Sequence, residues 1–307
     1  MSLIKQPPFP RRPAGPDEAV LALRDVQIVA LELLEVFDAF CQAHRLRYYL
    51  CGGTLLGAVR HQGFIPWDDD VDLFMSRPDY DRLVALARTE SFGEDVRFAC
   101  GDNGLLDRPF ARLYCLKTQV QRKTRKPCSG AHVWIDILPV DGLPKDPKKL
   151  ARLFALRKKL DHYNFTAMWI PGTGSRDLAV LKMIPGYILS RLVGAKRWCA
   201  IIDRMGRRRP YASSETVGCL TGGRYGAGEA MPRSAFEIPA KVPFEGREYE
   251  TMSCYREYLT GIYGDYMTPP PVKARRIHMD YVTMLKSDYE ALCRRHPDLQ
   301  SAAGSRA

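Results

Sequence analysis

The stretch "PWDDDVDLFM", residues 66–75, sets Asp68, Asp69, Asp70 and Asp72 within five positions, directly ahead of an apolar run. The run "DVDLFM" has the alternation of a half-buried strand. In a strand, side chains at i and i+2 point to one face. Asp70 and Asp72 therefore share a face, and Val71, Leu73 and Met75 pack on the other. Asp68 joins the acidic face only if the chain is already extended there. Asp69 points away and reads as solvated surface. Two carboxylates about 7 Å apart on one face repel each other unless a cation sits between them. Mg²⁺, or Mn²⁺ in its place, suits this pattern because it takes hard oxygen ligands and shares them with substrate phosphates. A calcium-binding EF-hand loop starting at Asp68 fails, because the glycine required at its sixth position is Leu73.

A third carboxylate stands in "VWIDILPVD". Asp136 lies between Ile135 and Ile137 on a second strand candidate. An aspartate flanked by apolar residues needs a partner, since an unpaired buried charge is expensive. A shared metal is one partner and an arginine is the alternative. Upstream, "CGGTLLG" places Gly52 and Gly53 at a strand-to-helix turn. A helix opened there presents free N–H groups and a positive dipole end, which suits a phosphate.

Around this segment, "RYYLCGG" reads as a short strand, "TLLGAVRHQ" as a helix and "RPDYDRLVALARTE" as a helix with an early proline. "VRFAC", "FARLYCL" and "HVWIDILPV" are further strands, "AKVPFEGREYE" a hairpin, and "SCYREYLTGIYGDYM" a helix closed by Gly264. The first long helix is expected to start at Asp17 and Glu18 and to run to about Leu46.

The chain has 307 residues and a net charge of +11. Residues 141–210 hold sixteen basic and five acidic side chains, so this segment carries the whole excess. Such a field attracts anions, and a solvated helical surface is the alternative. Residues 179–202, "AVLKMIPGYILSRLVGAKRWCAII", read as a core-facing amphipathic helix pair broken at Pro185–Gly186. Contact with an anionic membrane surface is the alternative. No uncharged apolar run reaches the ~20 residues of a membrane span. The nine cysteines form no C-x-x-C pair, which argues against a zinc cluster and for reduced, buried thiols in the cytoplasm. The start is rich in Pro and Arg and reads as a flexible arm rather than a signal peptide. The expected divisions are a flexible arm (1–16), a catalytic core (17–145), a basic helical insertion (146–210), a C-terminal part completing the core (211–297) and a loose tail (298–307).

The segment "GGTLLGAVRHQGFIPWDDDVDLFM" closely resembles the defining stretch of the LicD family. "WIDILPVDG", "VPFEGREY" and "YLTGIYGDYMTPPP" follow in the order of that family's features. The resemblance implies an α/β nucleotidyltransferase-like fold, a mixed central sheet flanked by helices, here with an additional basic helical region. It implies that Asp70 and Asp72 hold the metal, that Asp136 completes the site, and that Gly52, Gly53 and Thr54 face the donor phosphates. It also implies transfer of a phospho-alcohol group, phosphocholine above all, from a CDP-linked donor to a hydroxyl of a cell-surface glycan or its lipid-linked precursor, with release of CMP.

On that reading the attacking proton passes to Asp136 or Asp68. Arg60, His61, Arg112 and Lys117 are candidate phosphate contacts, with surface roles as the alternative. Trp67 and Tyr225 are candidate faces for a choline cation, with core packing as the alternative. The acceptor is expected to be anionic or lipid-linked, with residues 146–210 touching the inner face of the membrane. A nucleotidyltransferase releasing pyrophosphate is the main enzymatic alternative. A nucleic-acid-binding protein is weaker, because the basic segment lacks interleaved aromatic platforms. A non-catalytic scaffold is the third reading.

Overall fold

A computed structural model gives the fold, and the structure describes residues 15–101, 108–121, 131–168, 186–275, 277–279 and 281–299. Most of the N-terminal arm, residues 179–185 and all but two residues of the expected tail lie outside the described residues.

The acidic strand takes its expected place. Strand β3 (Val71–Ser76) buries Val71, Leu73 and Met75 completely. It pairs antiparallel with β2 (Tyr49–Leu50) and parallel with β7 (Val133–Leu143). Beyond β7 lie β5 (Ala111–Cys115) and the edge strand β4 (Val96–Ala99), both antiparallel to their neighbours. The sheet order is thus β2-β3-β7-β5-β4, and the end of β7 also pairs β8 (Thr216–Gly218), which pairs β9 (Ala230–Pro232). This is a mixed α/β sheet flanked by helices. The parallel β3–β7 pair needs a long crossover. That crossover starts with helix α3 (Arg77–Leu86), capped by the Ser76 hydroxyl, which accepts the Asp79 N–H.

Helix α1 (Leu23–His44) packs on β3, β5 and β7. It begins later than the acidic pair Asp17–Glu18 predicts. Residues Glu18–Val20 instead form strand β1, paired with β12 (Tyr281–Leu285), and β12 also pairs β6 (Thr118–Gln121). A local acidic start signal loses here to a strand partner far along the chain. The start of the helix is capped by the Asp25 carboxylate, which accepts the Ala22 N–H at 2.7 Å.

The hairpin of β10 (Pro239–Phe244) and β11 (Arg247–Met252) turns through Glu245 and Gly246, both at positive φ. This is the backbone that a tight two-residue hairpin needs. The Glu245 carboxylate accepts the Phe64 N–H at 3.0 Å and pairs with Arg24 at 2.7 Å. It thereby pins the loop that leads into the aspartates.

The basic region forms α4 (Pro147–Met168), α5 (186–193) and α6 (Ala195–Gly206). Leu150 and Phe154 of α4 and Met205 of α6 share a small apolar cluster with Leu143 and Leu220. The buried Arg77 guanidinium joins the region to the sheet. It meets Asp141 at 2.6 and 2.9 Å and Asp203 at 2.9 Å. Gly206 of α6 lies so close to Asp141 that a Cβ there would fall 2.4 Å from its carboxylate. Of α5 and α6 only α6 turns an apolar stripe inward, with Trp198, Cys199, Ile202 and Met205 buried. The two are separated at Gly194 (φ +80), and the expected break at Pro185–Gly186 falls at the edge of residues outside the described ones. No two of the described cysteines are bonded, and all but Cys115 are buried.

Candidate active site

One cavity collects side chains from the sheet, from the start of α2 (Gly52–His61), from α4, from the loop before β9, and from α8 (Tyr255–Tyr263). Its floor is set by strand register. Asp72 of β3 lies directly beside Asp136 of β7, and Asp136 lies beside Arg112 of β5. All three side chains line the cavity, together with Phe74 and Leu138 two residues further along their strands. Oxygens of Asp70, Asp72 and Asp136 lie within 4.8 Å of one another.

These carboxylates are buried side by side. Burial, with Asp68 next in effect, pushes the Asp70 carboxyl up to about 8. Burial, with Asp70 and Asp136 after it, holds Asp72 well above the usual range. Burial also raises Asp68 to about 7. A set of hard oxygen donors that burial and mutual repulsion keep from ionising fits a small divalent cation such as Mg²⁺ or Mn²⁺. Arg112 supplies part of the counter-charge. Its Nε and Nη2 reach the two oxygens of Asp136 at 2.5 and 3.0 Å, and its guanidinium lies 4.3 Å from the Trp134 ring centre.

The glycine turn has a physical reason that the sequence alone did not give. Helix α2 starts at Gly52, whose φ is +53. A Cβ on Gly52 would fall 2.7 Å from an oxygen of Asp72, and one on Gly53 would fall 2.5 Å from an oxygen of Asp68. The pair leaves room for two carboxylates against the positive end of the helix. Thr54 does not face the cavity. It is buried, and its hydroxyl accepts the Asp72 N–H at 2.8 Å, fixing the entry to β3.

Asp69 is the clearest correction. Expected at the surface, it is only 1% exposed. Its carboxylate accepts the backbone N–H groups of His278 (2.9 and 3.0 Å) and Met279 (2.5 Å). The strand starts only at Val71, so the alternation that would turn Asp69 outward does not yet apply. The His278 ring is brought 3.1 Å from Asp69 and 3.4 Å from Asp70, and these carboxylates raise it to about 10.

Other candidates lie away from the cavity. Arg60 and His61 occupy the last turn of α2, at the opposite end from the glycines. Arg60 donates to the Tyr266 carbonyl at 2.7 Å. Trp67 carries the Arg275 guanidinium 4.0 Å from its ring centre and Arg60 at 5.9 Å, so protein cations already use this ring. Lys117 follows β5 in a turn and pairs with Asp95 at 2.9 Å and Asp288 at 3.5 Å. Tyr225 does line the cavity, edge-on to Tyr263 with ring centres 5.1 Å apart.

Sequence reading missed Arg157, Arg224, Glu229, Tyr258, Tyr263 and His278, all of which line the same cavity. Arg157 comes from α4 and donates to the Thr221 carbonyl at 2.8 Å. Glu229 is buried, which raises it to about 7, and it accepts the N–H groups of Arg224 (3.0 Å) and Tyr225 (3.3 Å). The tyrosines had a readable signal, since they stand on the helix predicted to end at Gly264.

Residues 45–141 match the family described as LicD/FKTN/FKRP, nucleotidyltransferase domain. The lipopolysaccharide cholinephosphotransferase LicD of Haemophilus influenzae is 31% identical over 266 residues, covering 84% of this chain and 96% of that protein. The chain belongs to the LicD family. The human ribitol 5-phosphate transferase FKRP is 62% identical over 32 residues, 10% of this chain and 6% of that protein. An uncharacterized protein of Rickettsia prowazekii is 53% identical over 56 residues, 18% of this chain and 21% of its own. The matched family segment contains the α2 glycines, all four crowded aspartates, Arg112 and Asp136. Arg157 and the tyrosines of α8 lie beyond that segment.

Proposed function

We propose that this LicD-family chain transfers phosphocholine from a CDP-linked donor to a hydroxyl of a cell-surface glycan or its lipid-linked precursor, releasing CMP. The observation that carries this reading is the convergence of Asp70, Asp72 and Asp136 in one cavity. The alignment of a cholinephosphotransferase with most of the chain supports it.

Asp70 and Asp72 would hold a divalent metal, with Asp136 beside them fixed by Arg112. Bound there, it would supply neutralisation of the donor diphosphate and of the charge on departing CMP. The acceptor oxygen attacks the distal phosphorus, the bond from that phosphorus to the CMP oxygen breaks, and the acceptor proton goes to a carboxylate. Asp68 takes that proton in preference to Asp136, because both oxygens of Asp136 already accept from Arg112. Tyr225 and Tyr263, rather than Trp67, offer the choline cation a ring face. The remaining contribution of the protein is positioning.

Incubation with CDP-choline, Mg²⁺ and a hydroxyl-bearing glycan acceptor is expected to release CMP, and chelation of the metal is expected to stop it. Pyrophosphate release from nucleoside triphosphates, without CMP release from CDP-choline, would instead assign nucleotidyl transfer.

A further inference from the structure

Helix α5 has its polarity reversed. Ser190 is fully buried, and its hydroxyl donates to the Tyr163 carbonyl of α4. Ile188, Leu189 and Leu192 point to solvent and are 52%, 48% and 75% exposed. Their spacing, i, i+1 and i+4, places them on one helix face. A helix that merely covered the core would turn this stripe inward. The arrangement is fixed by the neighbouring helix. Trp198 of α6 stacks on Tyr163 with ring centres 5.1 Å apart and donates its indole N–H to the Ser190 carbonyl at 3.2 Å. The inner faces of α5 and α6 therefore both turn to the same residue of α4, and their outer faces turn away from it.

The outer face of α6 continues the pattern with basic groups. Arg197, Ile201 and Arg204 follow at i, i+4 and i+7, and all three are exposed, as is Lys196. On α5, Arg191 sits beside the aliphatic stripe with its guanidinium 5.6 Å from the Tyr187 ring centre. Residues 186–209 contain a single acid, Asp203, already engaged by Arg77 and Arg207. Aliphatic side chains facing outward, with exposed cations beside them and on the next helix, match the requirements of an anionic bilayer surface. The aliphatics enter the acyl boundary while the cations stay among the headgroups. A nucleic acid would use the charge but gain nothing from leucine and isoleucine, since bases stack on aromatic rings.

We propose that α5 and the outer face of α6 form a peripheral docking surface for an anionic lipid bilayer. Among the described residues no helix is long and apolar enough to cross a membrane, and the proposed contact is an interfacial one. The proposal is independent of the transfer reaction, and its test needs no donor, metal or acceptor.

The full chain is incubated with vesicles of phosphatidylcholine alone and with vesicles of equal parts phosphatidylcholine and phosphatidylglycerol, then sedimented. Binding is expected to the anionic vesicles and to weaken with added salt. Leu189→Asp/Leu192→Asp lowers the partition coefficient by at least about tenfold. Its melting temperature stays at the wild-type value, because both side chains are exposed. Leu192→Phe, which keeps an apolar side chain, retains binding. The proposal is overturned if the wild-type chain ignores the anionic vesicles at low salt. It is also overturned if the double aspartate variant binds like wild type, or if a DNA duplex is bound more tightly than the vesicles.

Discussion

If Asp72 holds the metal as proposed, Asp72→Asn is expected to lower transfer by about a thousandfold while the metal-free chain melts no lower than wild type. The size follows from the several kcal/mol of transition-state charge stabilisation that a bound metal supplies, at about 1.4 kcal/mol per factor of ten. The stability half of the prediction has a separate cause. Asp72 is buried beside Asp70 and Asp136, and its carboxyl is held well above the normal range by burial and then by these neighbours. An amide of the same shape removes that repulsion. A steady-state assay with CDP-choline and a thermal melt in chelator read the two halves. Full activity in the variant would remove Asp72 from the chemistry. Lost activity with a lowered melting point would make it a structural residue.

Arg77→Met destabilises the chain by about 3–5 kcal/mol, because it leaves the buried Asp141 carboxylate without its bidentate cation. Asp141 is only 1% exposed and receives both Nε and Nη2 of Arg77, and Asp203 of α6 receives Nη1. The arginine therefore joins the start of α3, the end of β7 and the basic helices at one point. Urea denaturation reads the loss. Arg77→Met/Asp141→Leu is expected to recover much of it, since a buried ion pair replaced by apolar groups of similar volume is close to neutral. A loss below about 1 kcal/mol in the single variant would mean that water already reaches this pair.

The parts of the fold legible in the sequence are those where local signals and long-range pairing agree. The alternation of "DVDLFM" and the apolar run around Asp136 put both strands in place, and their parallel register sets Asp72 beside Asp136. The hairpin at Glu245–Gly246 and the helix closed by Gly264 were readable from turn residues alone. What could not be read depends on distant chain. Asp69 is buried because the backbone of His278 and Met279 comes to it. That approach follows from β12, which pairs with β1 and β6 and leaves no local mark near residue 69. Arg157 looked like one of many basic residues on a solvated helix, yet the docking of α4 turns it into the cavity. Lys117 shows the converse: acids in the loop before β4 and at residue 288 pair with it, away from the cavity. The outward stripe of α5 has the composition of a core helix, and only the burial of Ser190 reveals which face is inside.

The proposed chemistry needs one cation that bridges the buried carboxylates and a donor diphosphate. A crystal soaked with Mn²⁺ and CDP-choline tests this directly through the anomalous signal of the metal. The expected result is a peak about 2.0–2.2 Å from oxygens of Asp70 and Asp72 and from a donor phosphate oxygen. A donor bound in the cavity with no metal at these carboxylates, or a metal seated elsewhere on the diphosphate, would contradict it.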